Sequence, residues 1–293
     1  MELNAYAKIN WDLHVLGKRP DGFHELDTVM VNVSLHDTLR FEPCSELVFT
    51  CSDNSLPTDE RNLVVKAAKL LAAASGTKLG ARIDLEKRIP AGGGMGGGSS
   101  DGACALMGLN RLWRLEWPVE RLHPLAAALG SDVAFFLYGG WRRCLGRGEI
   151  VQALSGSEEW PLLPILLILP PLQVSTPACY KLLSVPLCDG KTASRDLTKI
   201  SGNISYFVAR ADPLRKLGQN DLTEPARRVE PQLKTLQRIL EERYPGRWLM
   251  SGSGAVHFVL PLNRADNGAA LEETLRQHIG TETRVITATT FTP

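Results

Sequence analysis

The tightest constraint on this chain is the run Pro90-Ala91-Gly92-Gly93-Gly94-Met95-Gly96-Gly97-Gly98-Ser99-Ser100-Asp101, in which six glycines fall within seven positions. Glycine adopts backbone conformations closed to other residues and lets the chain approach a ligand closely, at an entropic cost that needs a reason. The run follows an alternating stretch at 81–86, read as a strand, and precedes an apolar-periodic stretch at 100–112, read as a helix. A strand, a glycine loop and a helix start in that order turn successive N–H groups toward one centre and add the positive end of the helix dipole. The oxygens of a triphosphate are the natural occupant. Ser99 and Ser100 offer hydroxyls to a phosphate or to a bound magnesium ion. A flexible loop closed by a Ser-Ser-Asp helix cap is the plainer alternative.

Two better-known phosphate loops do not fit. A Walker loop needs a glycine five positions before its Gly-Lys-Ser/Thr, and Val185 stands there ahead of Gly190-Lys191-Thr192. A dinucleotide fingerprint needs an acidic residue about twenty positions on, at the end of a second strand. Helical sequence and the segment from Trp113 to Trp117 occupy that region.

The 293 residues exceed what one hydrophobic core usually organises, so two domains are expected, with the boundary near 153–159 where Ser, Gly and Glu cluster. The 33 basic and 32 acidic residues balance without a dense Lys/Arg run, so neither nucleic acid nor a membrane surface is an expected partner. Residues 1–10 carry no export signal, and the greasiest segment, 162–172, is short and broken by Pro164, Pro170 and Pro171. A cytoplasmic location is expected. Six scattered cysteines read as reduced core thiols.

Residues 7–15 alternate as a half-buried strand does and run into the turn Arg19-Pro20-Asp21-Gly22. Further strands are expected at 38–41, 46–51, 162–169, 256–260 and 283–287. Helices are expected at 62–74, 119–129, near 201–211, at 225–244 as one long element, and at 266–277. Strands and helices mixed without a regular βαβ rhythm indicate an α+β architecture.

The glycine loop resembles the central motif of the GHMP kinases, Pro-x-x-x-Gly-Leu-Gly-Ser-Ser or a close variant, matched here by Gly94-Met95-Gly96-Gly97-Gly98-Ser99-Ser100. Ala7-Lys8-Ile9-Asn10, Arg19-Pro20-Asp21-Gly22-Phe23-His24-Glu25 and Gly130-Ser131-Asp132-Val133 look like the diphosphocytidyl-methylerythritol kinase branch in particular. Met250-Ser251-Gly252-Ser253-Gly254-Ala255 is similar to that family's third motif, and Asn220-Asp221-Leu222 to another of its segments. The resemblance implies a two-domain GHMP kinase fold. Residues 1–153 would form an N-terminal domain like the second domain of ribosomal protein S5, and 154–293 a ferredoxin-like C-terminal domain.

It also implies ATP and Mg2+ as cofactors, a small-molecule substrate, a monomer or weak homodimer, and phosphorylation of the C2 hydroxyl of 4-diphosphocytidyl-2-C-methyl-D-erythritol in the non-mevalonate isoprenoid precursor pathway. By position, Asp132 would orient and deprotonate that hydroxyl, and Lys8 would pair with it and balance charge on the transferring group. Pro90, Ala91, Gly92, Gly93, Gly94, Met95, Gly96, Gly97, Gly98, Ser99 and Ser100 would bind the nucleotide, with Ser99 or Ser100 on the metal. Phe23 and Tyr180 would stack on the cytosine and His24 would hydrogen-bond it. Asn10, Thr176, Gly252 and Ser253 complete the substrate set, with Asp12 a further candidate on the face of Lys8. Ala134, Trp11, Asp12 and His257 depart from the family pattern, His257 reading as a packed core residue. Another GHMP kinase acting on mevalonate, homoserine or a sugar, or a catalytically silent nucleotide binder, remains an alternative at this stage.

Overall fold

The computed structural model describes residues 1–154, 156, 157, 160, 162–188, 217–263 and 265–292; the helix expected near 201–211 lies outside them. Strand β1 (Glu2–Lys18) and strand β2 (His24–Cys44) form one long antiparallel hairpin around the 19–22 turn. Gly22 sits there at φ 87°, a conformation that side chains disfavour. Residues 7–13 are all buried, so β1 is enclosed on both faces rather than half-buried as its alternation suggests. Ile9 and Trp11 enter an apolar cluster, while Lys8 and Asn10 point the other way into a polar cavity. The alternation reports two different surroundings, not core against water.

β2 is the hub of the sheet. Besides β1 it pairs with β4 (Gly80–Glu86), with β5 (Arg142–Gly146) and with β10 (Arg284–Phe291), and β6 (Ile150–Ala153) adds to β5. The remaining order runs from β3 (Leu47–Cys51) through β4, β2, β10 and β7 (Pro164–Leu169) to β9 (His257–Val259) and β8 (Trp248–Met250). β10 lies along β7 through Arg284–Thr289 and then passes to β2, with Thr290 opposite Val33 and Phe291 opposite Asn32.

Helix α1 (Leu63–Ser75) starts where the Asn62 side chain accepts a hydrogen bond from Val64 N. With α2 (Gly97–Leu112), α3 (Val119–Leu129) and α4 (Val133–Tyr138) it covers one face of the sheet. Leu71, Leu106, Leu109 and Phe135 are buried there against Phe41 and Ile83. Each contributes about 1.5–3 kcal/mol of apolar burial. A short α5 (Thr176–Lys181) follows β7, and α6 (Thr223–Val229), α7 (Gln232–Arg243) and α8 (Ala269–His278) complete the described helices. Leu236, Leu240 and Tyr244 of the α7 region meet Leu271 and Leu275 over Leu166 and Ile168 of β7.

Two expectations are corrected. The long helix at 225–244 is two helices, because Glu230, ahead of Pro231, is extended at φ −130°, ψ 92°; a residue before proline is pushed out of the helical region. Helix α2 begins at Gly97 rather than at Ser100, with Gly96 in the left-handed region and no side-chain cap. Strands β5, β6 and β8 have no counterpart among the expected strands, β2 begins well before the 38–41 stretch expected for it, and the described residues also add α4 and α5.

Candidate active site

The early start of α2 reassigns the parts of the glycine run. Ser100 N bonds Gly96 O, so the N–H groups of Gly97, Gly98 and Ser99 precede the first intrahelical bond and stay available to an anion. Two glycines further back serve packing. A Cβ on Gly94, whose φ is 81°, would sit 2.1 Å from Ser251 O, and one on Gly93 would sit 2.8 Å from Val256 Cγ2. Val256 N donates to Gly93 O and Ser251 Oγ donates to Gly94 O, so the 251–256 segment is locked onto the loop.

A cavity of about 750 Å³ opens beside this contact. Gly94, Gly96 and Ser99 are the loop residues that line it. Met95, 1% exposed, turns its side chain into the apolar core. Ser100, 2% exposed, donates its hydroxyl to Tyr6 O at 2.7 Å, so of the two serines it is Ser99 that faces the cavity. Pro90, Ala91, Gly92, Gly93, Gly97 and Gly98 lie outside the lining.

Behind the loop, Lys87 bridges Asp37 of β2 and Asp101 of α2, and Asp37 also accepts from Ile89 N at 2.8 Å. Burial raises the Asp101 carboxyl well above the usual carboxylate range. The loop's entry and exit are thereby tied to one buried ionic group.

Lys8 reaches the cavity from β1, with its ammonium 2.6 Å from Asn10 Oδ1, 2.9 Å from Gly94 O and 3.3 Å from Asp132 Oδ2. Its three hydrogens therefore have three acceptors: an amide, the phosphate loop and a carboxylate. Asp132 precedes α4 without capping it, and its side chain is a third exposed.

Phe23, His24, Thr176 and Tyr180 line the same cavity. The His24 and Tyr180 rings stack at 4.8 Å and 30°, so one face of Tyr180 is already covered by His24. Phe23 is 48% exposed, and the Arg147 guanidinium lies 4.7 Å from its ring centre. Burial, reinforced by the charge of Lys18, lowers the His24 pKa and keeps the imidazole neutral. Burial raises the Tyr180 phenol. Thr176 Oγ1 and Ser253 Oγ are 2.6 Å apart, joining α5 to the 250–254 turn.

Asn220 holds that turn from behind. Its amide donates to Met250 O at 2.7 Å and to Gly252 O at 2.8 Å, and its oxygen accepts from Leu222 N. Asp12, in contrast, does not line the cavity. Its carboxylate accepts from Gln219 N and meets His14 Nε2 at 2.7 Å, tying β1 to the same 219–221 segment. A bulge between Asn10 and Asp12 breaks the alternation that would have put it beside Lys8. Trp11 fills the core beside Trp141 and Phe258. His257 is fully buried between Ala255 O and Gln237 Nε2, and burial lowers its pKa to about 4.

The sequence reading passed over Thr28, Lys18, Arg147 and Lys181, all of which line the cavity. Arg147 carried a signal in its flanking glycines, Gly146 and Gly148, both at positive φ in a tight turn. Thr28 carried none, being one more residue of a β-rich stretch.

Residues 62–140 match the model of the GHMP kinases N terminal domain. A Methanococcus jannaschii mevalonate kinase shares the fold, with a TM-score of 0.66 at 14% identity over 99% of this chain and 98% of its own. Fold and phosphate loop together define the class of ATP-dependent GHMP small-molecule kinases. Within it, the chain is similar to the 4-diphosphocytidyl-2-C-methyl-D-erythritol kinase of Pelotomaculum thermopropionicum, 38% identical over 99% of this chain and 97% of the relative. The enzyme of that name from a Synechococcus strain is 41% identical over 89% of this chain and 87% of its own length. A crystal structure of a 4-(cytidine 5'-diphospho)-2C-methyl-D-erythritol kinase superposes with a TM-score of 0.77 at 34% identity, covering 98% of this chain and 99% of the other. The chain belongs to the 4-diphosphocytidyl-2-C-methyl-D-erythritol kinase family.

Proposed function

We propose that the chain transfers the γ-phosphoryl group of ATP to the C2 hydroxyl of 4-diphosphocytidyl-2-C-methyl-D-erythritol, with Lys8 and Asp132 at the reacting centre. The observation that carries this reading is a single cavity lined both by the Lys8–Asp132 pair with Gly94, Gly96 and Ser99 of the phosphate loop, taken as the donor end, and by an aromatic cluster of Phe23, His24 and Tyr180, taken as the base end. A substrate with a base at one end and an alcohol at the other spans that arrangement.

Asp132 accepts the hydroxyl proton as the oxygen attacks the γ-phosphorus and ADP leaves. Lys8 and the open N–H of Ser99 at the start of α2 hold the charge spread over the phosphate oxygens, and in this chemistry positioning and charge stabilisation supply most of the rate. Neutral His24 can both donate to and accept from a cytosine edge, while Phe23 offers the exposed ring face on which the base stacks. Asn10, Thr176, Gly252 and Ser253 contact the sugar alcohol and diphosphate between the two ends. The division near residue 153 separates the phosphate loop from the Gly252–Ser253 turn that closes over it.

A nucleotide's magnesium takes most of its ligands from phosphates and water, so the hydroxyl of Ser99, the loop serine that lines the cavity, would fit it. When bound, the ion would supply positive charge to the nucleotide's phosphates. Among the described residues, no helix is long and apolar enough to cross a membrane.

The test is ATP-to-ADP turnover by the purified chain with magnesium, with and without the diphosphocytidyl substrate. Turnover that depends on that substrate is the expected outcome. A folded protein that turns over mevalonate or homoserine instead, or nothing at all, would overturn the reading.

A further inference from the structure

Thr28 lies on β2 across from Leu13 of β1, lines the cavity, and is 2% exposed. Its hydroxyl oxygen is 2.6 Å from Asp12 O and 2.8 Å from Asn10 Nδ2. A hydroxyl has one hydrogen, and a main-chain carbonyl can only accept, so that hydrogen goes to Asp12 O. The oxygen's lone pairs then face Asn10 and can only accept. Asn10 must therefore turn its NH2 group toward Thr28, which leaves its carbonyl oxygen toward Lys8, 2.6 Å from the ammonium. The opposite amide orientation would set an NH2 donor against an ammonium donor and the amide oxygen against the hydroxyl's lone pairs, both costly in an enclosed polar network.

We propose that Thr28 is a positioning residue for phosphoryl transfer: its hydroxyl fixes the amide orientation of Asn10, which in turn aims the Lys8 ammonium at Gly94 O and Asp132. The proposal rests on the reading of Lys8 and Asp132 as the reacting pair. Thr28 itself need not touch the transferred group. Its influence passes through two side chains whose hydrogen-bond roles are dictated one after the other.

The chemistry supplies a pair of variants that separate hydroxyl from shape. Thr28→Val keeps the volume and removes the hydroxyl, while Thr28→Ser keeps the hydroxyl and loses a methyl group. In the orienting role, Thr28→Val lowers kcat by about ten- to a hundredfold, since small misplacements at a reacting centre cost on that scale. The KM values for ATP and for the diphosphocytidyl substrate stay within about threefold, and Thr28→Ser restores most of the rate. A packing role gives the reverse order, with Ser worse than Val.

The experiment is steady-state kinetics of wild type, Thr28→Val and Thr28→Ser, with circular dichroism and thermal unfolding to establish that each is folded. Thr28→Val as active as wild type overturns the proposal, as does Thr28→Ser impaired as much as Thr28→Val. Should Thr28→Val not fold, Thr28→Ala is the hydroxyl-free alternative. Failure of both to fold beside an active Thr28→Ser assigns the hydroxyl to the fold and likewise overturns the orienting role. Wild type inert toward the diphosphocytidyl substrate sinks the functional reading, and the role of Thr28 with it; an active wild type with an unaffected Val variant sinks only the latter.

Discussion

At the donor end of the cavity, Met95 is 1% and Ser100 2% exposed, and Gly94 lies so close to Ser251 that no side chain fits. At the base end, Phe23 is 48% exposed, and the Arg147 guanidinium lies over its ring. The first is a surface of backbone N–H groups held by packing on every side. The second is a cluster of side chains at the rim. A donor common to a whole class of kinases can be met by rigid main chain, whereas recognition of one acceptor has to be written in side chains that replacement can alter. The contrast teaches where mutation should change which kinetic constant.

The largest effect is expected between the two ends. Asp132→Asn removes the proposed proton acceptor and should lower kcat by roughly 10²–10⁴-fold, with KM for both substrates little changed. Turnover measurements check this, and an active Asn variant would remove Asp132 from the reaction. Next comes the donor end. Gly94→Ala places a methyl group into Ser251 O at a positive φ, so kcat/KM for ATP should fall by about tenfold or more and stability by about 2–4 kcal/mol. Denaturant unfolding and ATP titration read the two effects separately.

At the base end, Tyr180→Ala should raise KM for the diphosphocytidyl substrate by about tenfold, within the 1–3 kcal/mol of a stacked base, and leave KM for ATP unchanged. An equal rise in both KM values would erase the distinction between the two ends. The smallest effect concerns the foundation of the donor end. His257, with a folded pKa of about 4 against about 6.5 unfolded, binds a proton more readily in the unfolded chain. Its contribution is complete above pH 6.5 and declines as pH falls toward 4, costing about 1 kcal/mol between pH 6.5 and 5.5. Thermal unfolding across that window should show the loss, and His257→Asn should flatten it.

The phosphate-loop candidate was legible because a glycine run between a strand and a helix has few other uses, and family resemblance pointed to Lys8 and Asp132, which the structure sets 3.3 Å apart. What each glycine does was not legible. Gly93 and Gly94 answer to Ser251 and Val256, far away in sequence, and no local pattern announces that contact. Alternation placed Asp12 beside Lys8, and one bulge undid it. Thr28 escaped notice for a related reason, since its importance lies in which atoms of a neighbouring strand it faces. Helix periodicity carried the core helices at 62–74 and 119–129 almost to the residue, yet it ran through Pro231, where steric exclusion before proline outweighs an amphipathic pattern.

The seam where β10 leaves β7 and joins β2 also bears on the order of folding. Thr290 and Phe291 meet Val33 and Asn32 only after most of the chain has been made, so the central edge of β2 waits open while everything between is synthesised. Pairing across such a separation is slow because the closure entropy must be met before the contact returns anything. The hairpin of β1 and β2 can form early, but the sheet is completed by one of its last arrivals, and refolding of this enzyme should finish with a slow, sheet-joining phase.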